Sequence, residues 1–153
     1  MFEEEAGYFF DVSLDTKEPI RVEGPEGWIP LWAGVATQAQ AEAVARVMAD
    51  PVKFATKVPF PTLTMDHPEF DPLDGYWRGP VWLDQAYFGV RGLERYGLTE
   101  LAADLKDRLL SNPAGLTGRG PIFENYHPLT GEGLNAAHFS WSASHLLLLI
   151  AGK

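Results

Sequence analysis

Cysteine is absent from the chain, so disulfides and thiolate chemistry are excluded and no oxidising compartment is implied. Basic residues are few: 12 Lys and Arg stand against 21 Asp and Glu, for a formal net charge of -9. That balance repels phosphate backbones, and the cations are scattered, so the expectation is no nucleic-acid partner. An anionic membrane surface is disfavoured for the same reason. Long apolar runs are missing too. The longest, Leu146 to Ala151, falls far short of the roughly 20 residues that span a bilayer. The N-terminal M-F-E-E-E-A-G is acidic and has neither the basic nor the apolar region of a signal peptide. These absences lead to the expectation of a soluble, cytoplasmic protein.

What is present is ordinary in bulk and unusual in detail. At 153 residues and 46% hydrophobic, the chain can bury a core as a single domain, 1–153. Aromatics are abundant, and Trp28, Trp32, Trp77, Trp82 and Trp141 stand beside Gly, Pro or Ser near expected helix starts.

Taken in order, residues 8–22 predict a short strand, a turn at Leu14-Asp15-Thr16-Lys17, and a strand. Residues 24–34, G-P-E-G-W-I-P-L-W-A-G, read as a rigid turn-rich loop. Thr37 and Gln40 form a capping box for a helix whose stripe is Ala41, Val44, Val47 and Met48, ending at Asp50-Pro51. Residues 51–79 carry five prolines and no sustained period, yet are too apolar for disorder; an ordered, packed loop is expected. A second helix is expected from Pro80 to Gly97, with Trp82, Ala86, Val90 and Leu93 on one face. A third is capped by Thr99 and buries Leu101, Ala102, Leu105 and Leu109. Residues 112–138 read as a second long loop. The last helix, about Ser140 to Ile150, is apolar nearly all round and should be buried between neighbours.

Chemistry concentrates in Ile122–Gly133, I-F-E-N-Y-H-P-L-T-G-E-G, and Tyr76–Trp82, Y-W-R-G-P-V-W. Carboxylates hydrolyse glycosidic bonds and flat aromatic faces hold sugar rings, so the pair suggests a carbohydrate site. On spacing alone Glu124 reads first as a solvated loop carboxylate or a helix cap, and Glu132 as a turn residue between glycines. Tyr76 and Trp77 are sugar contacts or the plug of a long loop, and Trp82 lines a pocket or packs the core. Arg78 holds a substrate carboxylate or makes a structural ion pair. Trp28 and Trp141 are further candidate sugar contacts; such rings pack as often as they bind. His127, His138 and His145 lack metal-ligand spacing, His67 stands alone, and D-P-L-D-G is not a calcium loop. Neither metal nor cofactor is expected.

Four ordered blocks carry a resemblance. They are Gly27–Ala36 (G-W-I-P-L-W-A-G-V-A), Gly75–Trp82 (G-Y-W-R-G-P-V-W), Phe123–Gly133 (F-E-N-Y-H-P-L-T-G-E-G) and Phe139–Ala143 (F-S-W-S-A). Together they resemble the C-terminal part of glycoside hydrolase family 63, which includes processing α-glucosidase and mannosylglycerate hydrolase. The resemblance implies an all-α toroid of helical hairpins, of the (α/α)6 type. Here it would be partial, its last four or five helices with a small β-hairpin near the N-terminus. It also implies hydrolysis of α-glycosidic bonds with inversion, places the general base on Glu124, and aligns Tyr76, Trp77 and Trp82 with pocket aromatics. The family's general acid is an Asp from an earlier block that this sequence lacks.

Two readings follow. The first is the base-bearing C-terminal part of an inverting α-glycosidase for a small α-glucoside or α-mannoside, inactive alone and needing a missing N-terminal half. The second is a non-catalytic helical module that binds sugars or associates with further copies of itself.

Overall fold

The computed structural model describes residues 1–152. Among these, five helices and three two-stranded antiparallel sheets form the fold. The helical class holds, with more strand than the sequence predicts. None of the described helices is long and apolar enough to cross a membrane.

Two hairpins open the chain, where one was expected. β1 (Phe2–Glu3) pairs with β2 (Tyr8–Phe9), and β3 (Asp11–Val12) pairs with β4 (Pro19–Ile20) through the anticipated Leu14–Lys17 turn. The first carries no strand signal in the sequence, its first strand being acidic and only two residues long. It is tied down by Tyr8, fully buried, whose hydroxyl donates to the Gly24 carbonyl at 2.7 Å. A Cβ at Gly27 would lie 1.8 Å from the Tyr8 ring, which is why glycine stands there.

Glu26 sits in the 3-10 turn between these residues. Burial pushes its carboxyl up to about 7, opposed by its own and the Gly24 backbone N–H, and reinforced by Asp11 and Glu23. The folded state therefore binds this proton more tightly than the unfolded chain does. Its ionisation costs stability as pH rises from about 4.5, the ordinary value, to about 7. Glu26→Gln keeps the acceptor for Gly24 and removes the charge. It should leave stability near pH 4.5 little changed and raise it by roughly 2–3 kcal/mol at pH 8. Urea melts of both proteins across that range check it; a gap that does not widen with pH counts against it.

α1 (Ile29–Ala33) lies within the stretch expected to be loop. α2 (Gln38–Met48) begins as anticipated: Thr37 Oγ1 accepts the Gln40 N–H and Gln40 Oε1 accepts the Thr37 N–H. Its Ala41, Val44 and Met48 are buried and Val47 half-buried. Residues 51–79 are ordered, as expected, with Phe54, Val58, Phe60 and Leu63 in the core and the Arg108 guanidinium donating to the Ala55 and Thr56 carbonyls.

α3 (Leu83–Arg95) starts three residues later than Pro80 suggests. The Val81 N–H donates to the Tyr126 carbonyl at 2.8 Å, and the Tyr126 N–H returns to Val81 at 2.9 Å. Val81 also bridges to Pro61, so residues 80–82 are held extended by long-range pairing. Proline's preference for a first helical turn yields to those bonds. α4 (Thr99–Ser111) has Leu98, not Thr99, at the cap position, and buries Ala102, Leu105 and Leu109. α3 is the centre of the helical layer, contacting α1, α4 and α5 (Ser140–Ala151).

α5 corrects one expectation. It buries Ser142, Leu146 and Leu149, but Trp141, Leu147 and Ile150 are exposed. Its all-round apolarity does not mean all-round burial among these residues. The second long loop is corrected too: it contains a hairpin, β5 (Phe123–Tyr126) with β6 (Gly133–Ala137).

Candidate active site

Glu124 lies on β5, not in a loop, at an irregularity in the pairing. Phe123 faces Ala137 and Asn125 faces Leu134, so β6 spends one more residue than β5 across this interval. Bulges of this kind re-aim side chains and release ladder donors. Here the Ala136 N–H turns onto Glu124 Oε2 at 3.4 Å, while the Tyr76 hydroxyl donates to Oε1 at 2.6 Å. From below, the Ser142 hydroxyl in the first turn of α5 donates to the Glu124 carbonyl at 2.7 Å. Three of the blocks read from the sequence thus converge on one residue, Glu124.

The loop that delivers Tyr76 is organised by Asp71. Its Oδ1 accepts the N–H groups of Leu73 and Asp74, its N–H donates to the Arg78 carbonyl, and its own carbonyl accepts the Gly75 N–H. The Asp74 N–H is the main reason its carboxyl lies below the ordinary value, helped by the Leu73 N–H and Arg78 against partial desolvation. A Cβ on Gly75 would approach the Asp71 carbonyl oxygen to 2.3 Å, so this turn closes only around glycine. Tyr76 itself takes a left-handed backbone, φ 55°, which aims its ring at the carboxylate. The hydrogen bond to Glu124 pushes the Tyr76 hydroxyl above its usual range, with desolvation adding to it.

Beside Glu124 stands an aromatic wall. Trp77 and Trp82 stack in parallel at 4.3 Å and 4°, Tyr76 meets Trp82 edge-on at 5.0 Å, and Trp141 tilts against Trp82 at 5.8 Å. Trp77 and Trp141 are each 44% exposed and offer free surface, whereas Trp82 is 2% exposed and backs them. Its indole N–H is used internally, donating to the Tyr76 carbonyl at 3.0 Å. A half-exposed indole beside a carboxylate is suited to stack against the apolar face of a sugar.

Glu124, Tyr76, Trp77, Trp82 and Trp141 are therefore brought together, with Trp82 as support and not as a contact. Arg78 is exposed and pairs with Glu69 at 3.0 Å, with Asp71 further off at 4.0 Å, in the ion pair weighed as one of its two readings. Trp28 is corrected outright. It is 0% exposed, wedged edge-on against Phe54 and Phe60, with Nε1 donating to the Gln85 carbonyl at 3.0 Å. A ring with no free face cannot touch a ligand. Glu132 belongs to the hairpin turn, near the Thr130 hydroxyl at 3.4 Å. Sequence reasoning missed Ala136, Ser142 and the Asn125–Asn135 pair. G-L-N-A-A carries no clear strand alternation; the available signal was Asn135, since Asn is enriched among non-glycine residues in the left-handed conformation that this bulge uses.

Over residues 1–142 the chain matches a domain described as a mannosylglycerate hydrolase MGH1-like glycoside hydrolase domain. The chain belongs to this family. A mannosylglycerate hydrolase of Thermus thermophilus is 36% identical over 146 residues, covering 94% of this chain and 33% of its own length. Mannosylglycerate hydrolase MGH1 of Selaginella moellendorffii is 37% identical over 150 residues, covering 96% of this chain and 29% of its own. Among solved structures, a family 63 mannosylglycerate hydrolase from Thermus thermophilus in complex with glucose superimposes with a TM-score of 0.84. It is 34% identical, and the match covers 98% of this chain and 36% of that one. The resemblance to family 63 is thus borne out. The chain spans about a third of the length of the curated relatives it matches.

Proposed function

We propose that this chain is the base-bearing C-terminal part of an inverting α-glycosidase, with Glu124 deprotonating the attacking water and Trp77 and Trp141 holding the sugar. The observation that carries it is the Glu124 carboxylate, gripped by Tyr76 and Ala136 beside an exposed indole wall. The substrate class is a small α-mannoside or α-glucoside of an acidic aglycone, in line with relatives named as mannosylglycerate hydrolases.

Inversion needs a base and an acid on opposite faces of the sugar, their carboxyl groups roughly 6.5–9.5 Å apart. The acid, in this reading, is an Asp from the part of the ring outside these residues. The helices α1, α3 and α5 then form one sector of a hairpin toroid, and the exposed Leu147 and Ile150 of α5 are where the rest of the ring seats. Without the acid, protonation of the leaving oxygen loses a contribution typically worth about 10²–10⁴-fold.

The chain alone should therefore leave α-mannosylglycerate essentially intact. Mixed with a polypeptide spanning the first two thirds of a family member, it should release mannose, the β-anomer first. Equal rates with and without that polypeptide would place the acid within these residues. A second reading, a non-catalytic module that binds sugar or further copies of itself, is favoured by the exposed Trp141, Leu147 and Ile150 on α5. Sugar-dependent tryptophan fluorescence without turnover in any mixture would select it.

A further inference from the structure

Asn125 follows Glu124 on β5 and is wholly buried. Strand alternation sends its side chain to the opposite face, beneath the carboxylate. Its Oδ1 accepts from Asn135 Nδ2 at 2.9 Å, while its own Nδ2 has no partner among the described residues. A buried amide with an unpaired donor weakens a fold, and an apolar residue of similar size would fill the space without that penalty. The one bond this amide makes runs to the residue that creates the bulge: Asn135 has φ 59°, the only left-handed position in β6. The next residue is Ala136, whose N–H leaves the ladder to meet Glu124 Oε2. The Phe123 N–H, at the other side of the irregularity, donates to the Tyr126 hydroxyl at 3.0 Å.

We propose that Asn125 and Asn135 are positioning residues, whose side-chain hydrogen bond clamps the β6 bulge and so holds the Ala136 N–H on the Glu124 carboxylate. The use of that grip in catalysis rests on Glu124 being the base; the grip itself does not. Two donors on opposite oxygens, Tyr76 and Ala136, fix the carboxylate plane. The clamp decides whether the second of them is in place. Asn135 is exposed apart from this bond, so it can be altered with little disturbance to the core.

The experiment follows the Ala136 amide resonance by NMR through an acid titration of the 153-residue chain. In the native protein the resonance shifts in step with ionisation of the carboxylate it meets, and in Glu124→Gln that step disappears. Asn135→Gly keeps the left-handed backbone and removes the amide; Asn125→Val removes the buried partner and its unpaired donor. Each should lose the Ala136 step while resonances of α2 and α4 stay put, and the double variant should lose nothing more. Persistence of the step in either folded variant overturns the proposal. Should Asn125→Val fail to fold, Asn135→Gly decides alone, because glycine leaves the left-handed backbone accessible and removes only the side-chain bond. The readout needs no turnover. A clamp-dependent Ala136 step in a protein that no complementing polypeptide activates would leave this inference standing and remove Glu124's catalytic role.

Discussion

Glu124→Gln should lower kcat of the complemented hydrolase by about 10²–10⁴-fold, the usual worth of a positioned general base, with KM little changed. The substitution is close to isosteric. The Tyr76 hydroxyl can still donate to the amide oxygen, and the Ser142 bond to the backbone carbonyl is untouched. What would be lost, under the role proposed for Glu124, is the lone pair that accepts water's proton as the oxygen attacks the anomeric carbon. Sugar stacking on Trp77 and Trp141 is ground-state binding and should survive, so sugar-dependent fluorescence should persist where turnover does not. A variant that keeps full activity would return Glu124 to a structural carboxylate. One that loses sugar binding and turnover together would mean the substitution had disturbed the wall. Measuring kcat and KM separately, with a fluorescence titration on the same preparation, separates the three outcomes.

What was legible in the residues divides along a physical line. Local signals held: the Thr37–Gln40 box starts α2, the Gly97 stop ends α3 with φ 74°, and the Leu14–Lys17 turn closes a hairpin. Contacts distant in sequence were not legible. Val81 pairs with Tyr126, forty-five positions on, and that bond moves the start of α3; the β5–β6 hairpin within the expected loop is local but carries no strong strand pattern. The converging blocks were found by resemblance, and the structure supplies a reason for each residue in E-N-Y. Glu124 carries the carboxylate, Asn125 clamps the bulge, and Tyr126 pairs with Val81 and satisfies the Phe123 N–H. Spacing could not separate aromatic anchors from aromatic contacts, because a tryptophan beside glycine and proline suits both roles. Only ring direction distinguishes Trp28 from Trp77.

That distinction yields the other large effect. Trp28→Ala should destabilise the fold by about 3–5 kcal/mol, against a typical domain stability of about 5–15 kcal/mol. The ring fills the junction of three segments, meeting Phe54 at 5.1 Å and Phe60 at 5.5 Å and donating to the Gln85 carbonyl at 3.0 Å. Removing it opens a cavity between the 51–79 segment and α3, and leaves that carbonyl without its indole donor. The neighbours cannot collapse into the space, since Phe60 already presses on Gly89, where a Cβ would meet its ring at 2.8 Å. Trp77→Ala is the control. That indole is half exposed, with Tyr76 and Trp82 against its covered side, so a much smaller loss of stability should accompany removal of the proposed sugar-stacking surface. Urea melts followed by circular dichroism should show a sharply lower midpoint for Trp28→Ala and a near-native one for Trp77→Ala. Sugar-dependent fluorescence should vanish only in the second. The reverse pattern would move the binding surface to Trp28 and leave the wall beside Glu124 as packing, because a contact ring and a core ring cannot exchange both signatures.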